Sequence, residues 1–395
     1  MSKKLFLVVV IVLSMSVMAL MPARAQDAKR WDGADDLATD PLACAVAGGA
    51  AAETTPDASM AEMTPAAMAA PEYIGGAATG APDLAGKPIT LIDVPKLIGI
   101  GYFDATTKGQ QEAAKELGNV TVKTDGPTDA NIDKQITFID NAITSGVNGI
   151  LFAANDPVAI APVLKKALAA GIHVVGYDAN SEPDAREWFV QQALPNGIAK
   201  VMIDDMVAEK GDSAAFAIVT STFTTPNQAR WIAEMQAYQE KCYPNMKWLE
   251  TVEAQEDAKV SFDQATTLLN KYGDQLQGLF GMTSVATPSS ADAVTQGNAC
   301  GKVAVVGLAT PNPMKPFVKT DCVKSVVLWN PVDLGYAAVY VMRAVVDGKL
   351  TKDSTSVDAG RLGTLQIGSN KGDGSYVLLG PAFTFTKDNI DNFDF

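Results

Sequence analysis

Polar and aromatic side chains gather just beyond a series of short apolar runs, and they define the chemistry open to this chain. Phe103 and Asp104 follow the run Leu97–Gly101, Asn155 and Asp156 follow Gly149–Ala153, and Asp178 follows Ile172–Tyr177. Asn227 and Gln228 come after Ala215–Val219 and a polar loop. Thr283 and Ser284 come after Gly278–Gly281, and Trp329 and Asn330 after Val323–Leu328. Aromatic rings stack on apolar C–H faces, while carboxylates and amides bond in pairs to neighbouring hydroxyls. The set suits a small polyhydroxylated solute such as a sugar. Helix capping accounts for any one of these Asp or Asn residues equally well, and it alone would explain Asn155 and Asp156. Recurrence at several strand ends favours binding.

The same inventory argues against catalysis. The one histidine, His173, lies in the apolar run Gly171–Val175 and reads as a structural residue of a buried strand. Hydrolytic, zinc and acid–base sites mostly lean on histidine. No glycine-rich nucleotide loop follows a strand, and there is no G-x-S-x-G elbow. No enzyme activity, cofactor or metal is expected. A formal net charge of −14 without a basic cluster argues against nucleic acid or an anionic membrane as partner.

The elements that must position these residues have a regular rhythm. Of the 395 residues, 47% are hydrophobic, enough for a large core. From Ile89 onward, apolar strands alternate with helical patterns. Leu97–Gly101 precedes a helix near Gly109–Leu117. Val120–Lys123 precedes a helix carrying Ile132, Ile136, Ile139 and Ile143, and Gly149–Ala153 precedes the helix Val158–Ala170. A second block runs from Ala215–Val219 to Val303–Gly307, with helices near 227–240, 258–272, 289–298 and 313–319. The fold class is α/β, two doubly wound parallel-sheet domains, with ligands expected beyond the carboxyl ends of the strands.

The N-terminus carries Lys3-Lys4, an apolar run from Leu5 to Met21 and then Ala23-Arg24-Ala25. This reads as a signal peptide over residues 1–25, cleaved after Ala25, so the protein is expected to be exported. An uncleaved anchor is the alternative, and the run is near the lower length limit for one. Residues 26–88 are rich in Ala, Pro and Gly and are expected to form a disordered spacer. Met60, Met63 and Met68 fall in it and are attributed to composition. Export makes disulfides possible. Cys300 and Cys322 each precede a strand, and if those strands are adjacent and parallel the thiols lie within bridging distance. Cys300–Cys322 is therefore expected as a bridge, with Cys44 and Cys242 unpaired.

A family resemblance runs from about Ile89 to Phe395. It is carried by Val94–Phe103, Asp125–Thr128, Ala153–Pro157, Tyr177–Asp178, Thr310–Pro316, Leu328–Tyr336 and Phe385–Asp391. The chain resembles the type I periplasmic binding proteins related to ribose-binding protein, and more narrowly their rhamnose-binding and autoinducer-2-binding branch. The resemblance implies two lobes joined by three crossovers, closing on one ligand. It also implies an ABC transporter permease as partner and a monomer in solution. The lobes are expected at about 89–192 with 327–356, and 193–326 with 357–395. Lys96, Asp178 and Gln228 match a lysine, an aspartate and a glutamine of the autoinducer-2 receptors. Asn227, Met282 and Ser284 stand where those receptors have aspartate, proline and alanine. The stretches Trp329–Tyr336 and Ala359–Gly363 are closer to rhamnose-type members. The resemblance thus implies a deoxyhexose or pentose, with autoinducer-2 as the alternative, and leaves open a role as ligand-presenting sensor.

Overall fold

The computed structural model describes Cys44 and residues 71–395; the expected signal peptide, residues 26–70 of the expected spacer apart from Cys44, and Met60, Met63 and Met68 lie outside the described residues. The chain is an α/β protein organised by two largely parallel sheets. β1 (Ile89–Val94), α1 (Gly101–Leu117), β2 (Val120–Thr124), α2 (Ile132–Ser145), β3 (Gly149–Phe152), α3 (Pro157–Ala169), β4 (His173–Tyr177) and β5 (Trp188–Gln191) come first. α4 (Pro195–Lys210) leads into β6 (Ala215–Thr220), α5 (Pro226–Cys242), β7 (Lys247–Glu253), α6 (Ala258–Tyr272), β8 (Gly278–Gly281), α7 (Ala286–Gln296) and β9 (Ala304–Gly307). Then follow α8 (Pro311–Lys319), β10 (Ser325–Leu328), α9 (Pro331–Val346), β11 (Ser356–Asp358), β12 (Thr364–Asn370), β13 (Gly374–Leu378) and β14 (Phe383–Thr386).

The first sheet has the order β11-β12-β13-β5-β4-β3-β1-β2, and the second β7-β6-β8-β9. β3, β6 and β8 are buried at every position, as parallel strands covered on both faces must be. β10 pairs antiparallel with β14 and touches the second sheet through a parallel bridge from Leu308 to Val327. α9 returns to the first sheet and packs on α1, β3, β4 and β5. The α1–α9 contact is very close. A Cβ at Gly109 would overlap the Val332 carbonyl oxygen, and one at Gly335 would overlap that of Thr106. Glycine at both positions fixes α1, whose first turn faces the cleft between the lobes.

Four features differ from the sequence reading. The first strand is Ile89–Val94 rather than Leu97–Gly101, because Pro95 has no N–H to continue the ladder and Gly99 takes a positive φ of 85°. Residues 97–100 become a loop into α1; β5, which no apolar rhythm marked, completes the first block, and α4, equally unmarked, opens the second by packing on α5, β8 and β9.

The C-terminal boundary also moves. β13 pairs in parallel with β5 and carries β12 and β11 with it, so residues 356–378 belong to the first sheet instead of the second lobe. The chain therefore crosses between lobes near 192–194, 329–330 and 379–382.

Residues 71–88 of the expected spacer are ordered. Tyr73 stacks near Trp188 and donates to the Glu187 carbonyl at 2.8 Å, while Gly76 N–H donates to the Arg186 carbonyl at 2.7 Å. Backbone bonds and one aromatic anchor substitute here for the apolar bulk that the composition lacks.

Cys44 and Cys242 are not free. They form a disulfide with Cα atoms 5.5 Å apart, across 198 residues of sequence, a separation over which no local pattern can report pairing. Cys300 and Cys322 are bonded too, with Cα atoms 4.8 Å apart at the matching edges of β9 and β10.

Candidate functional site

The cleft lies where the carboxyl ends of the strands in both sheets face each other. Lys96 and Asp178 follow β1 and β4, and Ile100, Tyr102 and Phe103 stand at the start of α1. From the second lobe come Asn227 and Gln228 at the start of α5, Glu256 after β7, and Met282, Thr283 and Ser284 after β8. Trp329 sits on the second crossover.

Within each lobe these groups are held by short bonds. Tyr102 donates to Asp178 Oδ1 at 2.9 Å, and Trp329 Nε1 donates to the Tyr102 hydroxyl at 2.8 Å. Gln228 Oε1 accepts from the Thr220 hydroxyl at 2.6 Å and from Ser221 N–H at 2.8 Å, which frees its amide nitrogen to donate to Glu256 Oε1 at 3.3 Å. Contacts across the cleft are longer. Lys96 Nζ lies 3.5 Å from Glu256 Oε1, and Asn227 Nδ2 is 3.4 Å from Asp178 Oδ1.

Asp178 is the most constrained of these residues. It holds a left-handed φ of 58° at the end of β4, a conformation Asp tolerates better than most side chains. Its carboxyl is 2% exposed, and Oδ2 has Lys96 Nζ at 3.7 Å but no hydrogen-bond donor. Burial pushes its pKa above the ordinary carboxylate range, opposed by the Lys96 charge and the Tyr102 hydroxyl. Burial also pushes the Tyr102 hydroxyl well above its usual value, with the Asp178 charge adding to the effect. Glu256 has a positive φ of 55°, so both carboxylates are presented by unusual backbone.

Phe103, Tyr102, Trp329 and Trp231 form an aromatic wall, with successive ring centroids 5.1, 6.3 and 5.6 Å apart. Ile100, Met282, Leu308 and Leu328 add an apolar corner. The arrangement offers acceptors, donors and ring faces to a hydroxylated ligand. Among the described residues no group of His, Cys, Asp and Glu could hold a metal.

Of the residues singled out from sequence, the structure brings together Lys96, Phe103, Asp178, Asn227, Gln228, Met282, Ser284 and Trp329. It leaves four outside. Asp156 caps α3, accepting from Val158 and Ala159 N–H, and Asn330 caps α9, accepting from Val332 and Asp333 N–H. Asp104 is exposed on the first turn of α1. Asn155 supports the site from beneath, donating to the Lys96 carbonyl at 2.8 Å. Tyr102 and Thr283, which also follow predicted strands, line the cleft as well, whereas sequence reasoning missed Glu256 and Trp231 as lining residues. Glu256 follows a strand like the others and the strand-end rule reaches it, and Trp231 stands one helical turn beyond Asn227. His173 bonds Glu187 at 3.0 Å at the start of β4, the end opposite the cleft.

Residues 94–350 match the model of the periplasmic binding protein domain. The chain is 22% identical over 302 residues to the ABC transporter periplasmic-binding protein YphF of Escherichia coli (strain K12), covering 73% of this chain and 83% of that protein. An ABC transporter solute binding protein from Clostridium phytofermentas with bound L-rhamnose is similar in structure, with a TM-score of 0.74 and 27% identity, over 78% of this chain and 98% of that one. LsrB from Clostridium saccharobutylicum in complex with AI-2 gives a TM-score of 0.73 at 25% identity, over 78% of this chain and 100% of that one.

Proposed function

The chain belongs to the periplasmic binding protein domain family, and we propose that the solute it captures is a neutral 6-deoxyhexose or a pentose, held between two closing lobes. It is a sugar-binding solute-binding protein of an ABC transporter and not an enzyme. Membership of the family implies export. In the proposed course of events the signal peptide is cleaved after Ala25, and the mature protein delivers its ligand to the permease as a monomer.

The observation that carries the ligand reading is the buried Asp178 carboxylate, whose Oδ2 lacks a donor while facing the cleft beside Lys96. A buried acceptor of this kind is stabilised by a donor that the ligand brings. The cleft holds one cation, Lys96, against two carboxylates, Asp178 and Glu256. That balance repels an anionic solute and favours hydroxyls, which donate to carboxylates and accept from Lys96. The corner formed by Ile100, Met282, Leu308 and Leu328 suits the methyl group of a deoxyhexose. The bound L-rhamnose of the Clostridium phytofermentas protein supports the same reading. Asn227 bonds the Asp178 carboxylate, a contact that an aspartate at this position would turn into repulsion, and this favours a sugar over autoinducer-2.

Thermal shift against L-rhamnose, pentoses, autoinducer-2 and sugar phosphates tests the reading. A ligand at about 100 times its dissociation constant adds roughly 2.7 kcal/mol to stability. Shifts with neutral sugars and none with sugar phosphates are expected. A response to autoinducer-2 alone, or to sugar phosphates, overturns it.

A further inference from the structure

Adjoining the cleft, and sharing Asp178, Asn227 and Trp231 with it, is a second, partly open cavity. It is lined further by Asn180, Phe189, Gln191, Arg230 and Asp373. Arg230 stands on α5 one turn beyond Asn227, so both point from the same helix face. It is 8% exposed. Its Nε donates to Glu234 at 3.2 Å, while Nη2 is buried without a hydrogen-bond partner, 3.7 Å from Asp373 Oδ2. A buried guanidinium nitrogen with a long ion pair but no hydrogen-bond acceptor is costly to keep.

The opposite wall is tied to the first lobe by hydrogen bonds. The Asp373 carbonyl accepts from Asn180 Nδ2 at 2.9 Å and from the Arg186 guanidinium, and its carboxylate accepts from Asn370 Nδ2 at 2.9 Å. Asp373 is thus held by groups of the first lobe. Nη2, paired with Asp373 only at 3.7 Å, still offers a donor to a group that enters. That group is neutral, because Asp178 and Asp373 both face the cavity and oppose a second anion. A hydroxyl meets both walls, accepting from Arg230 and donating to Asp373. Trp231 is common to the two cavities and presents ring surface to each. The polar link between them is the Asn227–Asp178 bond, at 3.4 Å among the weaker contacts of the site.

We infer that the site is bipartite and takes a ligand of two hydroxyl-bearing units, a disaccharide or glycoside. One ring meets Lys96, Asp178 and Glu256, and the second unit lies between Arg230 and Asp373. This rests on the sugar reading given above and extends it.

The test is calorimetry of the full chain with free L-rhamnose and free D-ribose, each beside a disaccharide carrying the same ring at its non-reducing end. The disaccharide is expected to bind at least about tenfold more tightly than its monosaccharide. That preference should collapse in Arg230→Met. Arg230→Lys, which keeps the charge near Glu234 but loses the guanidinium fork, serves if the first variant fails to fold. Equal or weaker binding of both disaccharides by the wild-type protein overturns the second compartment and leaves the sugar reading standing. A preference that survives in either folded variant also overturns it. Absence of binding by all four probes overturns the sugar reading, and this inference falls with it.

Discussion

The two lobes reach the same cleft by different means. The first rests on eight strands and contributes Lys96, Asp178 and the start of α1; the second rests on four and contributes Asn227, Gln228 and Glu256. The second lobe carries the covalent reinforcement, since Cys300–Cys322 and the Cys242 end of Cys44–Cys242, at the end of α5, both lie there. In both lobes the binding groups are fixed internally by bonds such as Tyr102 to Asp178 at 2.9 Å and Thr220 to Gln228 at 2.6 Å. Across the cleft the contacts lengthen to 3.4 and 3.5 Å. Each half is therefore pre-organised by itself, and what joins the halves is weak enough for a ligand to replace. Pre-organisation of this kind lowers the ordering cost of binding.

The contrast in reinforcement is broken most visibly at the disulfides. In the chain-entropy picture, closing a 198-residue loop stabilises by about 5 kcal/mol and a 22-residue loop by about 3. Cys242→Ser should lower the thermal midpoint on the order of 10 °C, and Cys300→Ser by roughly half as much. Differential scanning calorimetry reads both. If neither moves the midpoint, the second lobe does not depend on its disulfides.

The first lobe has its own weak point in Asp93 on β1. Burial pushes its carboxyl up to about 7, opposed by the nearby Tyr177 hydroxyl and Gln110 amide and by a hydrogen bond from Thr124 at 3.3 Å. The folded pKa lies above the unfolded one, so the folded state binds the proton more tightly. The stabilisation is fully present below pH 4 and is lost as pH rises through about 7. A shift of about 3 units corresponds to at most about 4 kcal/mol. Thermal scans from pH 5 to pH 8 should show the midpoint falling, and Asp93→Asn should flatten that slope. A slope unchanged in Asp93→Asn shows that another group carries it.

A smaller effect sharpens the claim about internal fixing. Trp329→Phe keeps a ring in the aromatic wall but removes the donor to Tyr102. Losing one such bond, about 1 kcal/mol, should weaken sugar binding about fivefold. No change in calorimetry would mean that Tyr102 holds Asp178 without help.

Much of this was legible in the chain. The alternation of apolar strands and helices reports parallel sheets, and the strand-end rule finds Asp178, Asn227, Gln228 and Trp329 because parallel strands deliver their carboxyl ends to one cleft. The same rule cannot separate a ligand-facing Asp from a capping one, since both stand where a strand gives way to a helix. Asp156 and Asn330 proved to be caps for that reason. Residues 356–378 were hidden because short strands separated by glycine turns carry no sign of which sheet they join. Their partner β5 is itself only four residues long. Cys44 was hidden by sequence distance, and the order in 71–88 by a composition that looks unstructured but bonds through its backbone.

The central claim, that Asp178 is the anchor of a sugar cleft, is tested most directly by titrating Asp178→Ala with the sugar that shifts the wild-type protein. Its removal leaves ligand hydroxyls without an acceptor and Lys96 with one fewer charge partner. Binding should weaken at least about 100-fold, or about 2.7 kcal/mol, with the circular dichroism spectrum unchanged. An affinity within about threefold of wild type in the folded variant contradicts the account.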